Sequence, residues 1–588
     1  MLSATLIGFA IAATIAFLPT FLIGRLRDRR AHDESVPSPG PRAEVVRNAS
    51  IAYSLRAALF VPLLALGAMG DVRTPLVAAL CIAFGLCLMS AVRARLLGFA
   101  EEALLAGQAI TVHAFIAARH RADEGVRRLA ASLTVVGLVA LLIVESLAVT
   151  AFVAPIIGER VAAAALVGSL VILAVLPTLL GAHSGVMHAS QLMLGVTYLG
   201  LSGATVALLY RHLSALTPMS AAGTLALVFV GSLSVILLCA KRSRYVDNPA
   251  HSASTRPDRP LDRAAFRVVG RFGKIVNIGI STLLVLVLVL VSMDLFRAGR
   301  QPVLDALAAA ARAPMLLPTV GVVALCLLAL CHPLVDNATW QAVAALVTRD
   351  VEPAKRSATL RSVFRAYAVD SSLLWLWMAA LGAIALLAMQ PPSGADIVHA
   401  IVARMATAGD AVTDTALGLL TMAVFAMAVS TMSMQCSALI FTLREDMLSH
   451  SSGARVAFAE VDASRRPYLV RALLVLVVVG GVGVALALAE IPPVGERLLA
   501  WLIAAGSAQL ALLPLVAAAI VRRSGSLESG LAPGWALIVL GSGALAAVGA
   551  VALYVITGSD AWLWTTAPAC LAAGGIASVA AHVASMRS

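Results

Sequence analysis

The stretch AVSTMSMQCSALIFTLRED, residues 428–446, sets Ser430, Thr431, Ser433, Gln435 and Ser437 inside an otherwise apolar run that ends in charge. A hydroxyl or amide taken out of water costs free energy unless something hydrogen-bonds or coordinates it. On a helix Ser430, Ser433 and Ser437 share a face at i, i+3 and i+7, and Thr431 lies beside that face. Two arrangements answer the cost. Hydroxyl oxygens, joined by carbonyls freed from a broken helix nearby, suit a dehydrated hard cation such as Na+, as in secondary transporters. Alternatively, the hydroxyls bond their own carbonyls four residues back, or join neighbouring helices.

A second polar interruption lies in CHPLVDNATWQAVAALVTRD, residues 331–350, where His332-Pro333 and Asp336-Asn337 break an apolar span. Pro333 removes a backbone donor and clashes with the preceding turn. Freed carbonyls and these polar side chains would then face a solute. The plainer alternatives are a packed, hydrogen-bonded His332 and an Asp336 at the cytoplasmic helix end. Glu145 and Asp370 also fall within apolar spans, and Asp410 and Asp414 near the outer end of another. Carboxylates at membrane depth are costly and mark functional positions, although a bond from a neighbouring helix would also accommodate Glu145.

The elements that must position these residues are membrane helices. Of 588 residues 60% are apolar and 13% charged, with mean hydropathy +0.94. Apolar runs long enough to cross a bilayer core of about 30 Å recur from end to end, and backbone satisfaction in lipid makes them helical. Fifteen spans are expected, at 2–24, 52–70, 75–92, 129–154, 161–182, 190–210, 220–240, 275–296, 315–340, 366–389, 413–442, 468–489, 498–520, 533–556 and 562–584. The net charge of +12 resides in short basic loops that alternate with poorer ones, so it reads as a topology signal and excludes a nucleic-acid partner. Arg25, Arg27, Arg29 and Arg30 follow the first span and no basic residue precedes it. That pattern predicts a retained helix with its N-terminus outside and a cytoplasmic C-terminus. The seven cysteines lie in apolar spans without a CxxC pair, which predicts buried thiols, no cofactor and no disulfide framework. No Walker A, HExxH or GxSxG motif is present, and no gap between spans holds a soluble enzyme domain, so the chain reads as no enzyme.

STMSMQCSALIFTLRED resembles the S-T-x-S-x-Q segment and following E-D of bacterial sodium/proline symporters, in the sodium/solute symporter family. The resemblance implies an all-α polytopic membrane protein with a LeuT-like five-plus-five inverted repeat and extra helices. It makes this segment the eighth core helix, whose Ser-Thr pair and a carbonyl one turn earlier would bind Na+ at Ser430, Thr431 and Met427. It makes 315–340 the sixth core helix, broken near the substrate and ending in a polar-aromatic-AA pattern. His332, Asp336, Asn337, Trp340 and Gln341 are then expected to bind solute. The implied organisation is an extra helix in 1–30, a first half in 45–215, two inserted helices in 216–310, a second half in 311–520 and extra helices in 521–588. The first core helix would be IAYSLRAALFVPLLALGAMG, residues 51–70. It lacks the family's carboxylate; Pro62 is expected to mark its unwound turn, and Arg56 to snorkel to the inner surface. Only the geometry carries over, not the proline specificity.

These readings predict a cation-coupled secondary transporter, with Na+ as the coupling ion. It would sit in lipid in a bacterial cytoplasmic membrane and import a small organic solute such as an amino acid or organic acid. The rival expectation is a transporter-derived sensor or partner protein without ion coupling, which the weakened first core helix favours.

Overall fold

The computed structural model describes residues 43–216, 316–447, 494–521 and 531–587, apart from short stretches within the first two blocks. Among these the chain is helical and holds no strand. The helices are α1 (Ala43–Ser54), α2 (Ala57–Ala68), α3 (Arg73–Ala91), α4 (Arg93–Leu105), α5 (Val112–Arg119), α6 (Glu124–Ile157) and α7 (Arg160–Leu216). After residue 316 come α8 (Thr319–Val335), α9 (Asn337–Val347), α10 (Pro353–Met389), α11 (Ile397–Thr407) and α12 (Ala411–Thr442). They are followed by α13 (Val494–Leu510), α14 (Leu513–Val521), α15 (Pro533–Thr557) and α16 (Ala561–Arg587). Eight helices among the described residues, with α8 and α9 taken together as one, are long and apolar enough to cross a membrane, and ten if α1–α2 and α13–α14, bent by 56° and 48°, each count as one crossing. The expected spans 2–24, 220–240 and 275–296, and nearly all of 468–489, lie outside the described residues.

One boundary differs from expectation. Residues 183–189 were expected to link two spans, yet α7 is helical throughout its 57 residues. That length corresponds to about 85 Å at 1.5 Å per residue, far beyond one bilayer crossing. The helix holds two apolar stretches, Ala165–Val175 and Val186–His212.

Close packing substitutes for the hydrophobic effect, which gives helices little reason to associate in lipid. Helix α2 meets α10 backbone to backbone: a Cβ on Gly382 would sit 2.0 Å from Leu64 O, and one on Gly67 would sit 1.8 Å from Ala379 O. The far end of α12 continues into a π-helical turn, Leu443–Met447. There buried Asp446 accepts from Thr111 Oγ1 at 2.9 Å and from Arg127 Nε at 2.9 Å, and meets His113 Nδ1 at 2.8 Å. His113 Nε2 reaches Thr134 Oγ1 at 2.8 Å. Asp446 thereby ties α12 to α5 and α6.

Candidate ion and solute site

Two of the helical spans are interrupted, at 55–56 and at 336. Between α1 and α2 the break falls at Leu55 and Arg56, and Arg56 is extended at φ −90°, ψ 138°. Pro62 lies inside α2, where the helix continues. The break therefore sits six residues before the expected proline, because a carboxylate from another helix makes it affordable there. Glu145 of α6, fully buried, accepts from Ala57 N at 2.7 Å and Ala58 N at 3.1 Å. Those are orphan donors of a new helix N-terminus, and the N-cap residue Arg56 offers them no side-chain acceptor. The acidic group that holds this break is thus supplied across a helix interface.

Between α8 and α9 the break falls at Asp336, three residues after Pro333, which lies inside α8. Asp336 caps α9 through bonds from Thr339 N at 3.1 Å and Thr339 Oγ1 at 2.9 Å, and accepts from Tyr53 OH at 3.1 Å. Each break also frees a carbonyl that an indole takes up. Trp375 Nε1 donates to Ser54 O at 3.3 Å, and Trp340 Nε1 donates to Leu334 O at 2.9 Å.

Helix α12 passes the first break. Thr431 Oγ1 donates to Leu55 O at 3.4 Å, and buried Ser430 Oγ has no hydrogen-bond partner among the described residues. The other intramembrane hydroxyls give the comparison. Buried Ser146, Thr150, Thr205, Thr421, Thr442 and Ser507 each bond the carbonyl four residues back, at 2.7–2.9 Å. Ser433 joins helices by donating to Ala174 O at 2.8 Å. Among the described residues Ser430 does neither, while Thr431, like Ser433, joins helices, and does so at the break. Calcium, close to Na+ in radius, binds oxygen at about 2.3–2.6 Å, so two ligand oxygens at a right angle stand about 3.3–3.7 Å apart. The 3.4 Å between Thr431 Oγ1 and Leu55 O matches that spacing. Met427, one turn before Thr431, is buried in the same helix. Among the described residues no group of three His, Cys, Asp or Glu is placed to hold a metal.

A cavity of about 630 Å³, counting its open mouth, adjoins the break and is lined by Tyr53, Arg56, His332, Asp336, Thr339 and Tyr367 among others. Of the residues expected at the solute, His332 and Asp336 line this cavity. Asn337, Trp340 and Gln341 do not line it. Asn337 Nδ2 donates to Thr442 Oγ1 at 2.6 Å. Trp340 is fully buried against Phe115 and Phe99, with ring centroids 5.1 and 6.3 Å away. Gln341 is buried in α9 with neither amide atom hydrogen-bonded. On a helix that starts at Asn337, these side chains are turned or carried away from the break. Arg56 corrects another expectation: it points into the cavity, its guanidinium carbon 4.6 Å from the centroid of the Tyr53 ring, rather than snorkelling to the surface. Its role had no signal in the apolar pattern.

At the start of α12, Asp410 accepts from Thr413 N at 2.8 Å and pairs with Arg211. Desolvation acts to raise its pKa, but the Thr413 hydrogen bonds and the Arg211 charge outweigh it and hold this carboxyl below the usual carboxylate range.

No family model matches the chain, and no curated protein matches it. Among solved structures it is similar to a substrate-bound, outward-open Na+-coupled sialic acid symporter. The TM-score is 0.55 at 13% identity, over 98% of this chain and 97% of that one. The likeness is one of fold: an all-α polytopic membrane protein of the LeuT-like kind.

Proposed function

We propose that the protein is a Na+-coupled secondary transporter that moves a small organic solute by alternating access. The observation that carries this reading is the pair at the first break: Ser430 Oγ without a partner, and Thr431 Oγ1 against Leu55 O. Ser430 Oγ, Thr431 Oγ1, Leu55 O and the Met427 carbonyl would replace water around the ion. The similarity in fold to a Na+-coupled symporter supports the same reading. The capping bonds from Glu145 give the break an acidic partner that the helix itself lacks, which supports the transporter reading over the sensor.

Coupling follows from the shared backbone. Leu55 faces the ion and Arg56, the next residue, lines the solute cavity. An ion that fixes Leu55 O also fixes where Arg56 begins, so each ligand raises affinity for the other by the same factor. The two half-helices beyond the breaks then rock against α6 and α12 around a fixed site. The test is uptake by purified protein in proteoliposomes, across a panel of organic acids, amino acids and sugars, under inward Na+, H+ or no gradient. A Na+ gradient should drive accumulation of at least one solute. Accumulation driven equally by H+ with Na+ absent would overturn the ion assignment.

A further inference from the structure

Arg56 lines the cavity with its guanidinium free of any direct hydrogen bond or ion pair among the described residues. It rests on the Tyr53 ring at 4.6 Å. A guanidinium carries five donors in a planar fork. Holding it half-buried beside a cavity costs free energy that pairing with an anion returns. The two nearest carboxylates are committed elsewhere. Both oxygens of Glu145 take backbone N–H groups of α2. Asp336 Oδ1 takes Tyr53 OH at 3.1 Å and Ala338 N at 3.4 Å, and Oδ2 takes Thr339 N and Oγ1. The rest of the wall is largely apolar, with Leu59, Ile82, Leu141, Leu325, Leu328 and Leu502 facing the same space.

We propose that the cavity recognises the carboxylate of a small monocarboxylate through the Arg56 guanidinium, with the leucine-rich wall taking an apolar body. This deepens the transport reading and rests on it for the word transport, not for the binding. A carboxylate matches the guanidinium fork in a two-point contact that a lysine ammonium cannot reproduce. An amino acid fits less well, because Asp336, the carboxylate in the cavity wall, already accepts four hydrogen bonds. Cooperation with the ion is direct, since the carboxylate is held by the residue next to Leu55.

The experiment has two arms on the full chain. In nanodiscs with Na+, binding of monocarboxylates from propionate to hexanoate is read by quenching of tryptophan fluorescence, Trp375 being in the cavity wall. Butyramide serves as the uncharged counterpart of butyrate. In proteoliposomes, uptake of the same compounds and of alanine is read under a Na+ gradient. Butyrate or a neighbouring acid should bind and butyramide should not. Arg56→Lys should raise the half-saturating concentration about tenfold or more, the loss of one good charged hydrogen bond. Arg56→Gln should abolish binding while thermal unfolding in the same nanodiscs shows folded protein. The proposal is overturned if no carboxylate binds, if butyramide binds as well as butyrate, or if folded Arg56→Gln keeps the wild-type half-saturation. Na+-driven uptake of alanine but of no monocarboxylate overturns it while transport stands. Carboxylate binding with no gradient-driven uptake supports the site and defeats the transport reading.

Discussion

Replacing Glu145 by Gln tests how the first break is held. The wild-type carboxylate accepts two backbone N–H groups, at 2.7 and 3.1 Å, in a fully buried setting. Hydrogen bonds to a charged group are worth about 1.5–3 kcal/mol each, and neutral ones about 0.5–1.5 kcal/mol. A carboxylate at a helix N-terminus gains about 0.3–2 kcal/mol more. Glutamine keeps one acceptor and turns an NH2 towards the second N–H. Two charged bonds become one neutral bond, and the relief of burying a charge offsets part of the loss. A net cost of about 2 kcal/mol remains, which corresponds to about a 30-fold change in an equilibrium constant. That cost falls on the state in which Leu55 and Arg56 are non-helical, the state that offers Leu55 O to the ion. Sodium half-saturation of uptake should therefore rise about 30-fold, with Glu145→Asp in between because it keeps the charge at a longer reach. Thermal unfolding in detergent separates lost folding from lost ion affinity. A folded Glu145→Gln protein with wild-type sodium half-saturation would refute the capping argument.

Three further substitutions probe the scaffold. Trp340→Phe keeps most of the packing on Phe115 but leaves Leu334 O unpaired, so folded yield should fall modestly while the solute half-saturation of the folded fraction stays unchanged; a large rise in that half-saturation would return Trp340 to the binding surface. Gly382→Ala places a methyl 2.0 Å from Leu64 O, and separating α2 from α10 should abolish uptake and lower the unfolding temperature; wild-type uptake would contradict the close crossing. Asp446→Ala leaves Arg127 and His113 without their buried acceptor and should destabilise the protein by about 3–5 kcal/mol, read as a lower unfolding temperature with Asp446→Asn intermediate.

Much of the architecture was legible because lipid leaves the backbone few choices. Span 413–442 was placed by length and apolarity alone, and it nearly coincides with α12 (Ala411–Thr442). Asp336 was legible as part of a break in an apolar span, whereas its capping of α9 through Thr339 emerged only in the structure. What the sequence concealed is carried by contacts between distant segments. Glu145 caps a helix that begins 88 residues earlier, and no local pattern announces the pairing. The same holds for Arg56, whose neighbours in sequence are apolar and whose neighbours in space are Tyr53 and the α8 wall. Pro62 misled because proline marks a break only where nothing else satisfies the backbone. Trp340 misled in another way: an aromatic beside a break reads as a solute contact, yet its indole serves the break by taking Leu334 O. The separation of Ser430 from the other intramembrane hydroxyls needed the coordinates, because a serine that bonds its own helix and one that does not have identical spacing.

The central claim is that Ser430 and Thr431, with Leu55 O and Met427 O, hold a sodium ion at the first break. Saturable binding of radiolabelled sodium to the purified protein tests it directly. Wild-type protein should bind one ion that excess unlabelled sodium displaces and potassium does not, and folded Ser430→Ala and Thr431→Ala proteins should each lose that binding. Sodium binding of wild-type affinity in the folded Ser430→Ala, Thr431→Ala double variant would contradict the account.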